Sequence, residues 1–335
     1  MKTVSRLSAA LLMVLGLVAI PAAGQADPAT EYVGVSVATA WVDPATDRPV
    51  DAPAVANPAD PRKWAATMTL QQRVDLVPLL ETQALYGNPV RILERQGAWV
   101  HVAVVGQPTP RNALGYPGWV PARQLVDSPV FGTLQQTRPF ALVTAATAWL
   151  STDPTGRQHE TELSANTRLP VLSRADGAVL VATPDRGPRW LRAADVHVYA
   201  KASDIPRPTG ADLVRTAKAF VGLHYLWAGT SAFGFDCSGF TSTVYALNGI
   251  TIPRDAGPQM AAGKPVSKDQ LRAGDLIFYA YDHGTGSVHH VGMYIGGGYE
   301  VDAPGNSETQ ESPLEIVKVD QHRYADQYAG AVRFL

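Results

Sequence analysis

The 335-residue sequence holds a single cysteine, Cys237. A lone thiol can form neither an internal disulfide nor a multi-cysteine zinc site, so any chemistry it performs is that of a nucleophile. An isolated cysteine is more often just packed in a core, and only its neighbours can argue otherwise. Here an irregular, glycine-rich lead-in ends in Gly234-Phe235-Asp236-Cys237-Ser238-Gly239-Phe240. A helical pattern with Phe240, Val244 and Leu247 on one face starts there and stops at Asn248-Gly249. A cysteine in a first helical turn faces unpaired backbone N–H groups and the positive end of the helix dipole, where an anionic sulfur is stabilised.

A base must accompany such a sulfur. Downstream, His289-His290-Val291-Gly292-Met293-Tyr294-Ile295 and Tyr299-Glu300-Val301-Asp302 flank three glycines, a pattern that predicts a tight antiparallel hairpin. Side chains alternate along a strand, so His290 points away from Val291 and Met293. With the turn centred on Gly296, His290 and Asp302 are expected to lie opposite each other. Cysteine, histidine and carboxylate then make the nucleophile, base and orienting group of a thiol hydrolase. The oxyanion would take donors from the Cys237 backbone N–H and the Tyr225 hydroxyl, although Tyr225 could equally be a core aromatic. His289 and His283, near Asp282, read as solvated histidines, because no second cluster at ligand spacing accompanies them. No metal or other cofactor is expected, and His224 and His322 fall in no pattern.

Several motifs occur together and in order: Tyr225-Leu226-Trp227-Ala228-Gly229, Asp236-Cys237-Ser238-Gly239, Ile252-Pro253-Arg254-Asp255, Ala273-Gly274-Asp275-Leu276-Ile277-Phe278 and His290-Val291-Gly292-Met293-Tyr294-Ile295-Gly296. Over residues 205–335 the sequence resembles the NlpC/P60 family of cysteine peptidases. The resemblance implies an α+β, papain-like catalytic domain and tips Tyr225 toward the site. Asp302 departs from the pattern, standing where many members carry a second histidine; an anion there should hold the imidazole at least as firmly.

The elements that position these residues can be read from period and punctuation. A helix is expected near 211–221, capped by Thr209 or Asp212, with Leu213, Ala217 and Phe220 inward and Gly222 at its end. The Cys237 helix follows. Strands are expected at 276–281, 291–295, 299–301, 315–319 and 331–334, so helices come early and strands late, which is an α+β order.

Ahead of this domain the chain repeats itself. Ala38-Thr39-Ala40-Trp41-Val42 returns as Ala146-Thr147-Ala148-Trp149-Leu150, and Gly118-Trp119-Val120 is matched by Arg189-Trp190-Leu191. Short alternating runs (90–93, 100–104, 169–172, 179–182) and turn signals predict two small β barrels, which resemble the bacterial SH3-like domains that accompany many family members. The first, 31–127, carries a Pro-, Ala- and Asp-rich insertion from Asp43, with a short helix near 70–83. The second, 128–200, is compact, and residues 202–210 with Pro206 and Pro208 form a linker. Lys2 and Arg6 before an apolar run from Leu7 to Ile20, with Ala22, Ala23 and Ala26 beyond, predict a signal peptide over 1–26. Export to a periplasm or outside the cell is expected, without cysteine lipidation or a later membrane span. A net charge of −2 gives no sign of nucleic-acid or anionic-membrane binding.

Family members of this kind cleave cell-wall peptides, most often between γ-linked D-glutamate and a diamino acid. The subset with two SH3-like domains restricts entry to peptides with a free N-terminal L-alanine. By that resemblance Glu81, Tyr116 and Asp255 would bind the amine, with Trp227, Asp236 and Ser238 lining the substrate, and Ala256 stands where a serine is expected. A capped amine would leave two carboxylates without a partner. On residues alone Asp255 could instead cap a helix. Two other readings stay open: an endopeptidase of intact peptidoglycan with the barrels as wall anchors, and a non-catalytic peptidoglycan-binding protein.

Overall fold

The structure, a computed structural model, describes residues 28–305 and 313–335. The expected signal peptide lies outside the described residues. Among the described residues no helix is long and apolar enough to cross a membrane.

Two seven-stranded antiparallel sheets precede the catalytic region. The first is built from β1 (Thr30–Val33), β2 (Val37–Trp41), β3 (Leu80–Leu85), β4 (Pro89–Gln96), β5 (Trp99–Val104), β6 (Tyr116–Pro121) and β7 (Leu125–Val126), in the order β3-β2-β6-β5-β4-β1-β7. The second uses β8 (Phe140–Val143), β9 (Thr147–Ser151), β10 (His159–Ser164), β11 (Arg168–Ala175), β12 (Ala178–Val181), β13 (Arg189–Arg192) and β14 (Val196–Tyr199). Its order is β10-β9-β13-β12-β11-β8-β14. Raising every strand number by seven converts one order into the other, so the repeated Trp motifs fall on equivalent strands, β2 with β9 and β6 with β13.

The copies differ between their second and third strands. In the first, residues 42–79 form α1 (Ala52–Val55), α2 (Pro61–Thr67) and α3 (Leu70–Val74). The helix expected near 70–83 is shorter than that, because from Leu80 the backbone pairs with β2 (Trp41↔Leu80). Thr69 starts α3 with a capping box to Gln72. The insertion packs Trp64 and Leu76 onto Trp41, which is buried, whereas its counterpart Trp149 is 39% exposed. The same apolar cluster includes Leu226 and Ala228, so the insertion also seats the first sheet on the loop before the cysteine.

A short helix, α4 (Pro129–Thr137), lies between the two sheets in the chain, and the catalytic region opens with α5 (Gly210–Lys218), capped by Thr209 through a reciprocal box with Asp212. Leu213, Ala217 and Phe220 are buried as expected. A small hairpin of β15 (Thr230–Ser231) and β16 (Gly234–Phe235) leads into α6 (Cys237–Leu247), then α7 (Ala256–Ala262). A six-stranded sheet follows in the order β17-β22-β18-β19-β20-β21, comprising β17 (Lys264–Val266), β18 (Leu276–Ala280), β19 (Val288–Gly296), β20 (Tyr299–Asp302), β21 (Glu315–Lys318) and β22 (Tyr328–Arg333). Phe240 and Val244 of α6 join Phe278, Val291, Met293 and Val301 in one core. Complete burial of a side chain of Phe240's size stabilises by about 1.5–3 kcal/mol.

The hairpin register differs from the expectation. Met293 pairs with Val301 and Tyr294 with Glu300, while Gly296 pairs with Tyr299. A bulge before Gly296 and a two-residue turn of Gly297 and Gly298, both at positive φ, move the turn centre C-terminal to Gly296. His290 and Asp302 are therefore diagonal neighbours on one sheet face rather than directly opposed, still within reach of long side chains.

Candidate active site

Asp236 fixes the start of α6 by accepting the Gly239 N–H at 2.6 Å. Gly239 has no substitute there, since a Cβ would lie 2.0 Å from the Gly229 carbonyl oxygen. Cys237, 7% exposed, opens onto a cleft of about 600 Å³ between the first sheet with its insertion and the catalytic region. His290 lines the same cleft, near enough for the sulfur to favour charge on its imidazole. The His290 Nε2 lies 2.6 Å from Asp302 Oδ1, which leaves Nδ1 for the sulfur. The structure thus brings Cys237 and His290 to one cleft, with Asp302 bonded behind the imidazole.

Sequence reasoning missed the next link. His322 Nε2 lies 2.8 Å from the other Asp302 oxygen, and its Nδ1 accepts the Tyr324 backbone N–H at 3.1 Å. That acceptor role puts the ring proton on Nε2, so His322 donates to Asp302. Its ring stacks on Tyr279, centroids 4.4 Å apart and planes within 14°. Nothing in the local sequence marks His322, because it reaches the site from a 3-10 turn after β21.

The electrostatics follow from this shared carboxylate. Burial resists charge on His290, but Asp302 and Cys237 outweigh it and raise the imidazole well above its ordinary pKa. Burial likewise resists ionisation of Asp302, and the two histidines overcome it, holding the carboxyl well below the usual range. Glu300, fully buried two residues before Asp302, goes the other way: burial and the Asp302 charge push it up to about 8. Tyr279 donates its hydroxyl to Glu300. Tyr225 lines the cleft beside Cys237, and burial with the neighbouring sulfur raises its phenol well above the ordinary value, keeping it an O–H donor.

The other expected residues gather along the same cleft, Glu81 and Tyr116 from the first sheet and Trp227, Asp236, Ser238 and Asp255 from the catalytic region. Asp255 precedes α7 yet makes no side-chain cap; it accepts the Tyr116 hydroxyl at 3.1 Å instead. The Asp236 carboxylate is engaged by Arg254 at 2.7 and 3.1 Å, and Arg254 also donates to Ser238 Oγ at 2.9 Å. Arg254 is 2% exposed and reaches Thr82 of β3 at 3.0 Å, tying the cysteine turn to the first sheet. Trp227 donates to the Leu80 carbonyl at 3.2 Å. Ala256 also lines the cleft. Arg111, which sequence reasoning passed over, forms a fork with Glu81 and donates to Tyr116 Oη at 3.1 Å.

Of the remaining histidines, His283 is exposed near Asp326, as a solvated histidine should be. His289 is half-buried, bonded to Gln327 at 2.6 Å and stacked on Tyr281 at the cleft rim. Ligand atoms of His290, Asp302 and His322 lie close enough together to hold an ion. Their protons already satisfy one another, however, and a metal there would displace both hydrogen bonds to Asp302.

A thiol on a helix N-terminus facing a carboxylate-held imidazole on an antiparallel sheet places this protein among the cysteine peptidases. Comparison with known proteins narrows the class. The model for the NlpC/P60 family matches residues 222–333, and that for the YKFC SH3b2 domain matches residues 143–199. A Bacillus cereus protein named gamma-D-glutamyl-L-lysine dipeptidyl-peptidase is 47% identical over 306 residues, 91% of this chain and 90% of its own. A Bacillus subtilis protein of the same name is 37% identical over 305 residues, 89% of this chain and 96% of its own. The crystal structure of an NlpC/P60 family protein from Bacillus cereus superposes with a TM-score of 0.87 at 47% identity, covering 92% of this chain and all of that one. The chain belongs to the NlpC/P60 family and carries an SH3b domain ahead of its catalytic domain.

Proposed function

We propose that this protein hydrolyses the bond between γ-D-glutamate and the following diamino acid in bacterial cell-wall stem peptides that begin with a free L-alanine. The observation that carries the reading is the joint one: Cys237, His290 and Asp302 meet at a cleft that also holds Glu81 from the first barrel and Asp255 from the catalytic region, two carboxylates suited to an ammonium. The two Bacillus relatives, alike over nearly their whole length, are named for that bond. A dipeptidyl-peptidase counts from a free N-terminus, and a walled acidic end of the cleft is what such counting needs.

In this reading His290 takes the thiol proton and Cys237 attacks the γ-carbonyl carbon. The oxyanion is met by the Tyr225 hydroxyl and the Cys237 backbone N–H. As the C–N bond breaks, His290 passes its proton to the leaving amine, and a water activated by the same imidazole hydrolyses the thioester. Asp302 orients His290, and His322 holds Asp302. The ammonium of the L-alanine meets Asp255, Tyr116 and Glu81. Trp227, Asp236 and Ser238 form the floor, with Asp236 acting mainly through the turn it holds. The first barrel is a second SH3-like domain, given its strand order, and the units divide as 31–127, 128–200 and 205–335. The chain is exported through its first 26 residues.

The test compares L-Ala-γ-D-Glu-L-Lys with its N-acetylated form, using wild type and Cys237→Ala. Cleavage of the free peptide, lost in the variant and much slower after acetylation, is the expected result. Equal cleavage of both peptides would remove the amine requirement and favour a wall endopeptidase; no cleavage of either would leave a binding protein.

A further inference from the structure

The residues assigned to the substrate amine already hold a cation. Arg111 lies in the loop between β5 and β6, and its two terminal nitrogens grip both oxygens of Glu81, one of them at 2.8 Å. The same guanidinium donates to Tyr116 Oη at 3.1 Å and sits 5.1 Å from the centre of that ring. Tyr116 in turn donates to Asp255 Oδ1 at 3.1 Å. Carboxylate, guanidinium, phenol and carboxylate thus form one connected run, in which Glu81, Tyr116 and Asp255 line the cleft and Arg111 grips Glu81 and Tyr116 beside it.

Within this run, two carboxylates and one guanidinium leave one negative charge in excess, enough for one ammonium; Arg73, which also lines the cleft, donates to the Ala65 carbonyl. Nearby Arg254 does not alter this count, because its fork is spent on Asp236. The two carboxylates are unequal. Glu81 has a full partner, whereas Asp255 has only a phenol, and burial raises its pKa above the ordinary value. The loop that carries Arg111 is anchored at its base: Gln107 bonds Thr82 and the Gln83 carbonyl, both at 2.6 Å, and the Pro108 carbonyl accepts the Arg254 N–H at 3.0 Å. The Arg111 side chain itself is 44% exposed, so it can swing off Glu81 without disturbing that anchor.

Building on the amine reading above, we propose that Arg111 is a specificity-determining residue: a resident cation that occupies Glu81 and competes with the substrate ammonium for the acidic wall. Asp255 is then the first acceptor of the amine, and Glu81 becomes available only as Arg111 gives way. The competition weakens binding of free peptides but keeps the wall compensated when none is bound. A half-exposed ion pair is worth at most about 1 kcal/mol, so its removal is a modest effect, about two- to fivefold in affinity.

The experiment measures kcat and KM of wild type and Arg111→Gln on L-Ala-γ-D-Glu-L-Lys and on its N-acetylated form, at low and at 0.5 M salt. The expected result is a KM for the free peptide lowered about two- to fivefold at low salt. The gain should shrink at high salt, and the KM for the acetylated peptide should not change. A raised KM for the free peptide would mean that Arg111 contacts the substrate or orders Glu81, and an unchanged one that the pair is an inert surface bridge; either overturns the proposal. Failure of the underlying amine reading is seen separately, as wild type cleaving both peptides equally well.

Discussion

His322 and Asp302 form a buried hydrogen bond of 2.8 Å on the side of the carboxylate away from His290, so one anion is clamped between two imidazoles. A carboxylate with a single N–H partner can rotate. Held at both oxygens, Asp302 presents Oδ1 to His290 in one plane, and the stack on Tyr279 fixes the clamp in turn.

His322→Ala should therefore lower kcat with little change in KM. Losing a charged, buried hydrogen bond costs about 1.5–3 kcal/mol, or about ten- to hundredfold in rate. His322→Gln, which keeps an N–H near the same place, should recover most of it. Steady-state kinetics on the free tripeptide decides: an unchanged kcat in the alanine variant would show Asp302 to be self-sufficient.

On the proposed mechanism, the raised pKa of His290 should set the alkaline side of the pH profile. The imidazolium persists above the ordinary histidine value of about 6.5, so wild-type activity should hold into the alkaline range before falling as His290 loses its proton. In Asp302→Asn the largest raising influence is gone, burial acts unopposed by the carboxylate, and the limb should shift to lower pH. Profiles of kcat/KM measure this, and a limb that stayed in place would assign it to another group.

Glu300 makes the site costly to fold. Its pKa is about 8 in the folded protein against 4.5 when free, so the folded state keeps a proton that the unfolded chain has released. Stability on this account is undiminished below about pH 4.5 and is lost progressively as pH rises toward 8. Glu300→Gln has no such slope and should match wild type in acid. By pH 8 it should be more stable, by on the order of a few kcal/mol. Urea unfolding across that range is the measurement; parallel curves would rule out a neutral buried acid.

Arg254 carries the link between the cysteine turn and β3. Arg254→Met strands the Asp236 carboxylate in the interior and should cost about 3–5 kcal/mol, with activity falling as the turn loosens. Arg254→Lys keeps a charge but not the fork and should fall between the two. A loss under about 1 kcal/mol in the Met variant would place the hold elsewhere.

Local signals in the chain were enough for much of this architecture. The Trp repeat announced two like units, and capping residues and apolar period placed α5 and α6. The glycine run announced the hairpin that brings His290 to Asp302. These readings succeed because caps, turns and alternation act over a few residues. The same limit explains the failures. The shift of the hairpin centre depends on one bulge, which pairing decides and composition does not. The helix near 70–83 gave way to a strand at Leu80 because β2 was waiting for a partner.

Three side chains needed the assembled molecule. His322 lies 20 residues beyond Asp302 with no motif around it, and it became a site residue only when the chain turned back under Tyr279. Arg111 meets Glu81 and Tyr116 because two strands and their loop converge, and Arg254 binds Thr82 across 172 residues. What the sequence marked on its own is the candidate nucleophile, its candidate base and the class of fold. Which groups share the carboxylate, and which cation already sits on the acidic wall, was settled by long-range packing, since no short stretch of chain contains both partners.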